Sequence, residues 1–386
     1  MLFQVLIHYG EIALKGKNRG FFEKALLDNI KKTLEKGFFK SVQLGFGRIT
    51  LDLPENPDFK ALEEGLKNVL GIANFSFALK SVPEIEILKK HSLALLKRES
   101  FETFKVSAKR SEKALPFTSQ QINEEIGGLI QDKLLKKVKL ENPDLTLFIE
   151  MTNKEAFLFI KKIKGLGGLP VGVSGKAVSL LSGGIDSPVA SFLAMKRGLE
   201  ISLAHFESFP YSTKKSIEKV EELAKKLSVY QKPLKLYLFP FAEIQKEILL
   251  KSQEQFRVIL YRRAMLKIAE KLAHEEKSQA LITGDNLGQV ASQTIENLNT
   301  VEKAVDLPVL RPLICYDKEE IIEKSKTLGF FETSILPFDD CCSRFLPKMP
   351  EIHSKINEVE KEENKCENLT LLIENAFKNV KIKKIN

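Results

Sequence analysis

The first 60 residues alternate between two hydrophobic periods. Residues 2–7 form an extended apolar run, and residues 21–36 carry apolar side chains at helical spacing. Residues 42–46 and 49–53 have the pattern of two strands on either side of a glycine turn. The order strand, helix, strand, strand predicts a small block in which helices pack on a sheet.

A second block of the same kind follows and ends at a glycine-rich stretch. Residues 165–175 contain five glycines and one proline, which predicts a linker. Before it, the apolar spacing predicts helices at residues 59–70, 85–97 and 120–137 and strands at residues 75–82, 103–108, 145–152 and 156–163.

After the linker, strands and helices alternate regularly. Apolar runs predict strands at residues 177–181, 201–206, 234–239 and 280–283, with helices between them. This alternation is typical of a doubly wound parallel sheet, whose ligands bind at the carboxyl ends of the strands. The charged tail becomes amphipathic at residues 369–377, which predicts a final docking helix.

One of these strand ends carries a motif for anion binding. Residues 182–188, Ser-Gly-Gly-Ile-Asp-Ser-Pro, follow the strand at residues 177–181 and suit a tight turn into a helix. Glycines allow close approach of the backbone, and the helix dipole favours a negative ligand. A Walker-type loop requires a lysine, and residues 182–187 contain none.

Composition and charge narrow the class of protein. The chain has 386 residues, 43% hydrophobic and 29% charged, which is typical of a soluble protein with two or three domains. Without a signal peptide or an apolar span, and with four cysteines, we expect a reducing cytoplasm. The net charge of +9 lies mostly in residues 1–175, which fits either a nucleic-acid partner or a lysine-rich solubilising surface.

Several segments together resemble a known family. The loop at residues 182–187 is similar to that of the pyrophosphatase-loop enzymes, which cleave ATP between the α and β phosphates and activate a substrate oxygen as an adenylate. Other segments resemble the tRNA 4-thiouridine synthetases of the ThiI family. In chain order these are the opening at residues 9–19, the THUMP-like runs at 105–110 and 116–120, the signature at 283–294, and Asp340-Cys-Cys-Ser343 at the reactive cysteine.

The resemblance implies an α/β protein of several domains. It divides the chain into a ferredoxin-like α+β domain (1–60), a tRNA-binding THUMP α/β domain (61–165), a linker (166–175) and a doubly wound catalytic domain similar to adenine nucleotide α-hydrolases (176–386). Some family members continue into a rhodanese domain that accepts sulfur. Because this chain stops at Asn386, we expect its sulfur donor to act in trans.

The implied activity is ATP-dependent sulfur transfer to tRNA. ATP with Mg²⁺ would adenylate O4 of a uridine, expected at position 8, and a persulfide sulfur would then displace AMP to give 4-thiouridine. The implied partners are tRNA and a cysteine desulfurase or another persulfide carrier, with no membrane. A thiamine-related sulfur transfer follows by family analogy, and a homodimer is left open.

The resemblance also selects residues for each role. For Asp186, a role in the ATP and Mg²⁺ chemistry competes with helix capping. For His205, contact with the nucleotide competes with a buried structural role. Of the neighbours Arg262 and Arg263, one should face the cavity and one the solvent, and the family selects Arg262. The catalytic residues are Asp186, Cys342 and Cys341; the ATP contacts are Leu180, Leu181, Ser182, Gly183, Gly184, Asp186, Ser187, His205, Phe206, Arg262, Gly284 and Gln293; the tRNA contacts are Lys15, Lys17, Arg19, Lys109 and Arg110; no metal ligand is selected.

Three alternatives remain open from the residues alone. A synthetase that uses ammonia shares the loop, but it would not account for the basic N-terminal half. A non-catalytic RNA-binding protein would not need an intact loop. Cys315, Cys341 and Cys342 could instead converge as ligands of a metal or an iron–sulfur cluster, although the chain has no Cys-x-x-Cys.

Overall fold

Two units, Met1–Gly168 and Leu169–Asn386, each carry a sheet of their own. The computed structural model describes residues 2–34, 37–45, 47–111, 116–211, 213–338 and 347–385. Within those residues, no helix combines the length and the apolar character that a membrane span requires. Each unit buries its own set of large apolar side chains.

The N-terminal unit is built on one mixed sheet. β1 (Phe3–Tyr9) lies antiparallel between β3 (Arg48–Asp52) and β4 (Ile72–Ser81), so the sheet continues across the predicted boundary at residue 60. The strand predicted at 156–163 is divided into two short ones. The other strands are β2 (Ser41–Gly45), β5 (Thr103–Arg110), β6 (Lys137–Val138), β7 (Leu145–Met151), β8 (Ala156–Phe159) and β9 (Ile163–Lys164), in the order β2-β3-β1-β4-β8-β7-β5-β6 with β9 on β4.

Four helices of this unit agree with the predicted ones to within a few residues. α4 (Ser119–Leu134) begins at a capping box formed by Thr118 and Gln121. It stops before the predicted end because Leu135 adopts a left-handed backbone, with φ of 54°. The others are α1 (Arg19–Thr33), α2 (Phe59–Lys67) and α3 (Ile85–Leu96).

The C-terminal unit contains the predicted doubly wound sheet, with one difference. Neighbouring strands run parallel except at one edge, where β15 (Lys381–Ile385) pairs antiparallel with β12 (Leu234–Pro240). The sequence did not predict this edge strand. The other strands are β10 (Lys176–Leu180), β11 (Glu200–Glu207), β13 (Ala280–Ile282) and β14 (Val309–Leu310), in the order β14-β13-β10-β11-β12-β15.

The helices of the C-terminal unit position the strand ends. α5 (Asp186–Lys196) starts directly after the loop that follows β10, and α8 (Arg257–Glu275) is buried along most of its length. α13 (Leu369–Lys378) is the predicted final helix and packs on the core. The remaining helices are α6 (Lys214–Ser228), α7 (Ala242–Lys251), α9 (Ile295–Glu302), α10 (Lys318–Thr327), α11 (Phe331–Ser334) and α12 (Ile356–Asn364).

Candidate active site

A cavity of about 600 Å³ lies at the carboxyl ends of β10, β11 and β13. Three loops at these strand ends converge there, as the alternating pattern predicted. Apolar side chains of α8 form one wall, among them Ile259 and Met265. Of the predicted ATP contacts, Gly183 and Gly184 are outside the lining, and the others line the cavity: Leu180, Leu181, Ser182, Asp186, Ser187, His205, Phe206, Arg262, Gly284 and Gln293.

Two serines hold the loop between β10 and α5 in shape. The backbone N–H of Ser182 donates to Ser187 Oγ at 2.9 Å, and the N–H of Gly184 donates to Ser182 Oγ at 3.1 Å. The first turn of α5 follows at once, and the first N–H groups of a helix have no acceptor within it. This arrangement suits a phosphate-like anion.

Asp186 does not cap α5. The N-cap position is Ile185, and the Asp186 carboxylate instead accepts from Lys318 Nζ at 2.6 Å and from Gln289 Nε2 at 3.0 Å. Lys318 and Gln289 were absent from the predicted site. Gln289 lies within the signature at residues 283–294 but was not selected from it, and Lys318 opens a helix more than a hundred residues from the loop, so no local pattern connects it with Asp186.

Gly284 brings the third loop against the start of α5. A Cβ at this position would lie 2.8 Å from the Ser187 nitrogen and 2.9 Å from its Cα. In the structure, the close approach is between two backbone segments, so Gly284 sets the spacing of the loops that form the cavity.

Arg262 and Arg263 point to different buried carboxylates. Arg262 lines the cavity and donates to Asp285 Oδ1 at 2.5 Å. Arg263 is 3% exposed and pairs with Glu363 at 2.8 Å, so the expectation that one of the two faces solvent was wrong. On that side of α8, the helix α12 takes the place of solvent. The ion pair with Glu363 compensates the buried charge of Arg263.

His205 is both a satisfied buried side chain and a lining residue. Its ring is 6% exposed, and Nδ1 lies 2.8 Å from the carbonyl oxygen of Leu181. This bond fixes the ring between the ends of β10 and β11. The two interpretations that the sequence left open for His205 are therefore compatible.

The predicted RNA-contacting cations of the N-terminal unit differ in their surroundings. Lys15 pairs with Glu11 at 3.1 Å, and Arg19 pairs with Glu23 at 2.7 Å while donating to the Tyr9 hydroxyl. Burial and the bond to Glu23 raise the pKa of Tyr9 to about 12. Those two cations are paired with carboxylates of the same unit. By contrast, Lys17 and Lys109 are exposed, and Arg110 is half-buried.

The predicted catalytic cysteines lie outside the described residues. Cys341 and Cys342 fall between Phe338 and Pro347, and Pro347 lines the cavity. Cys366 is buried, and burial raises the pKa of its thiol to about 11, whereas Cys315 is exposed. Across the described part of the chain, no group of three acidic, histidine or cysteine side chains could hold a metal.

Comparisons with known proteins identify the family. Residues 172–368 match the family described as thiamine biosynthesis protein (ThiI), residues 4–76 match the ThiI ferredoxin-like domain, and residues 83–161 match the THUMP domain. A probable tRNA sulfurtransferase of Moorella thermoacetica is 41% identical over 97% of this chain and 96% of its own. The chain belongs to the ThiI family.

Other ThiI relatives agree along nearly the full length. A probable tRNA sulfurtransferase of Caldanaerobacter subterraneus is 43% identical over 94% of this chain and 95% of its own. A crystal structure of a 4-thiouridine synthetase–RNA complex with bound ATP covers all of both chains, with 39% identity and a TM-score of 0.91. The ThiI fold, with its ferredoxin-like, THUMP and parallel-sheet parts, is therefore that of this chain.

Proposed function

We propose that the chain is an ATP-dependent tRNA sulfurtransferase that makes 4-thiouridine. The observation that carries the proposal is the loop at residues 182–187, which opens into a cavity at the ends of three parallel strands. The chain is 41% identical to a probable tRNA sulfurtransferase over 97% of its length. Activation is chemically necessary because a carbonyl oxygen of uracil is a poor leaving group, whereas AMP is a good one.

ATP fits the cavity by its two contrasting walls. Apolar side chains such as Ile259 and Met265 suit the adenine ring, and the N–H groups at the start of α5 suit the phosphates. Arg262, which lies on α8 between these two apolar residues, supplies a positive charge to the cavity. Attack of uridine O4 on the α phosphate would release pyrophosphate and leave the uridine as an adenylate.

Mg²⁺ fits as an ion shared between the protein and the phosphates. Mg²⁺ commonly binds through one or two carboxylates together with phosphate oxygens, so a dedicated cluster is not required. Asp186 is the acidic residue of the loop at residues 182–187 and is the candidate ligand of the ion. The ion would neutralise charge on the departing pyrophosphate.

Cys342 is the proposed carrier of the sulfur, as the family resemblance selects it. It lies five residues before Pro347, which lines the cavity, and five extended residues span roughly 17 Å at most. The persulfide sulfur would attack C4 of the adenylated uridine and AMP would leave. The Cys341 thiolate is the candidate to attack Cys342 Sγ, which would break the S–S bond, release 4-thiouridine and leave a Cys341–Cys342 disulfide that an external thiol must reduce before the next turnover.

The N-terminal unit is the proposed tRNA-binding part. It holds most of the excess positive charge and matches the THUMP domain. Exposed cations such as Lys17 and Lys109 are suited to phosphate contacts, whereas Arg19 is engaged internally. A cysteine desulfurase or another persulfide carrier in the cytoplasm is the proposed sulfur source, and the thiamine-related role remains a proposal by family analogy.

AMP formation with and without tRNA tests the proposal against its rivals. The intact chain with ATP and unmodified tRNA should release AMP and pyrophosphate in a tRNA-dependent manner. An ammonia-using synthetase would instead respond to ammonia and a small substrate. A non-catalytic RNA-binding protein would bind tRNA and release no AMP.

A further inference from the structure

Two adjacent arginines on α8 form two separate buried ion pairs. Arg262 pairs with Asp285, in the loop after β13, and Arg263 pairs with Glu363 on α12. Both carboxylates are largely buried, with side chains 9% and 11% exposed. Only the first pair borders the cavity, through both of its members. The chain thus offers two similar pairs, of which one faces the candidate active site.

Asp285 is held on both of its oxygens. Oδ1 accepts from Arg262 at 2.5 Å, and Oδ2 accepts from the hydroxyl of Thr283 at 2.8 Å. Arg311 adds a second cation, with its Nε 3.5 Å from Oδ2. Burial alone would raise the pKa of this carboxyl, but Arg262, Thr283 and Arg311 together lower it, so the group remains ionised.

Arg262 is fixed at two points of its guanidinium. Nη2 donates to Asp285, and Nη1 donates to the carbonyl oxygen of Ser292 at 2.8 Å. An arginine has five N–H donors, and these two bonds use two of them. A long side chain held in this way loses little further freedom when an anion binds, which favours affinity.

We infer that Asp285 is a positioning residue that fixes Arg262 in the cavity toward the phosphates of ATP. The inference rests on the proposed function, since that function supplies the triphosphate. Asp285 acts through Arg262 and not by contact with the reacting atoms. Its role is therefore separable from that of Asp186, which lies within the loop at residues 182–187.

The test compares Asp285→Asn with Glu363→Gln in the full-length chain. Each variant removes one carboxylate charge from one arginine of α8 and keeps the side-chain size. Both should lower the melting temperature by a similar amount. Asp285→Asn should raise the KM for ATP by about tenfold or more, since charged hydrogen bonds contribute on that scale, and change kcat less. Glu363→Gln should leave the KM for ATP unchanged.

A double variant decides whether Asp285 works through Arg262. In an Arg262→Ala background, Asp285→Asn should alter kcat/KM for ATP by less than about twofold, because the residue it positions is gone. The inference would be overturned if the effects of the two single substitutions on kcat/KM multiplied in the double variant. Equal ATP kinetics for Asp285→Asn and Glu363→Gln would overturn it as well. Full ATP affinity in Arg262→Ala itself would instead count against the proposed ATP site, so the two failures can be told apart.

Discussion

Asp186, at the start of α5, has one positively charged and one neutral partner. Its carboxylate accepts from Lys318 at 2.6 Å and from Gln289 at 3.0 Å, and both partners come from distant segments. A triphosphate entering the cavity would compete for Lys318. The carboxylate would then be available to a cation that accompanies the phosphates.

Asp186→Asn should reduce tRNA-dependent AMP formation by about a hundredfold or more, the scale for losing one charged group that stabilises a phosphoryl transition state. The affinity for tRNA should stay within about twofold, because the substitution is in the C-terminal unit and additivity holds for distant sites. AMP release and filter binding measure the two quantities. Glu319→Gln, an exposed carboxylate next to Lys318, is the control. Full activity of Asp186→Asn would contradict the proposed role.

Cys342→Ser should stop 4-thiouridine formation from a persulfide donor and leave AMP formation intact, because sulfur enters only after adenylation. Cys366→Ser should remain active. The buried Cys366 thiol, with its pKa raised to about 11, stays protonated at pH 8 and is a poor nucleophile. Mass spectrometry after incubation with desulfurase and cysteine should find the extra sulfur on a peptide with Cys342. Persulfide on Cys366 alone, with Cys342→Ser active, would refute this assignment.

At the residue scale, the sequence predicted the residues that line the cavity better than the residues that hold them in place. Ser182, Asp186 and Arg262 lie in motifs that the family resemblance could select. The sequence could not identify Lys318 as the partner of Asp186, or Asp285 as the partner of Arg262. Each pair joins segments that are separated in the chain and meet only in the fold. A local pattern carries no information about which of two neighbouring arginines meets which carboxylate.

Gly284 lies where two structural elements pack closely at the cavity, the loop after β13 and the first turn of α5. Gly284→Ala would place a methyl carbon 2.8 Å from the Ser187 nitrogen, and two backbone segments would have to separate. We expect a loss of stability of about 1–3 kcal/mol, as for overpacked sites, and weaker ATP binding. Thermal unfolding and ATP titration measure these effects.

Gly128→Ala is the matched control for that substitution. Gly128 lies inside α4, and an added Cβ there would meet nothing within 4 Å. Helix propensity predicts a gain of up to about 1 kcal/mol, with unchanged ATP binding. If Gly284→Ala behaved like Gly128→Ala, the spacing role of Gly284 would be wrong.

At the element scale, apolar periodicity was sufficient for most helices and strands and insufficient for their ends and edges. The helix predicted at 120–137 ends early because Leu135 takes a left-handed backbone, which no apolar pattern encodes. β15 was missed because three of its five residues are lysines, and exposed edge strands are often charged. Its pairing with β12 depends on the completed sheet.

The molecule as a whole separates into two units with different sheets. Each has its own core, so their proposed activities should be separable. The sequence placed a change of architecture at the glycine-rich stretch, and the units divide within it, after Gly168. The finer four-part division predicted from the resemblance stays a prediction.

A fragment of residues 1–168 should bind tRNA without hydrolysing ATP. Binding driven by phosphate contacts should weaken by about tenfold or more when salt rises fourfold, since counterions are released on binding. Lys17→Gln and Lys109→Gln should each reduce the salt slope by about one unit, whereas Lys60→Gln should serve as a comparison at another exposed lysine. Equal tRNA affinity of the 169–386 fragment and the intact chain would contradict the division of roles.

Nucleoside mass spectrometry shows whether this chain thiolates tRNA through an adenylated uridine. Unmodified tRNA is incubated with the protein, ATP, Mg²⁺, a cysteine desulfurase and cysteine, then digested and analysed. We expect 4-thiouridine in amounts matching the AMP released, and none when ATP is omitted. Release of AMP without any thiolated nucleoside, or 4-thiouridine formed equally well without ATP, would contradict this expectation.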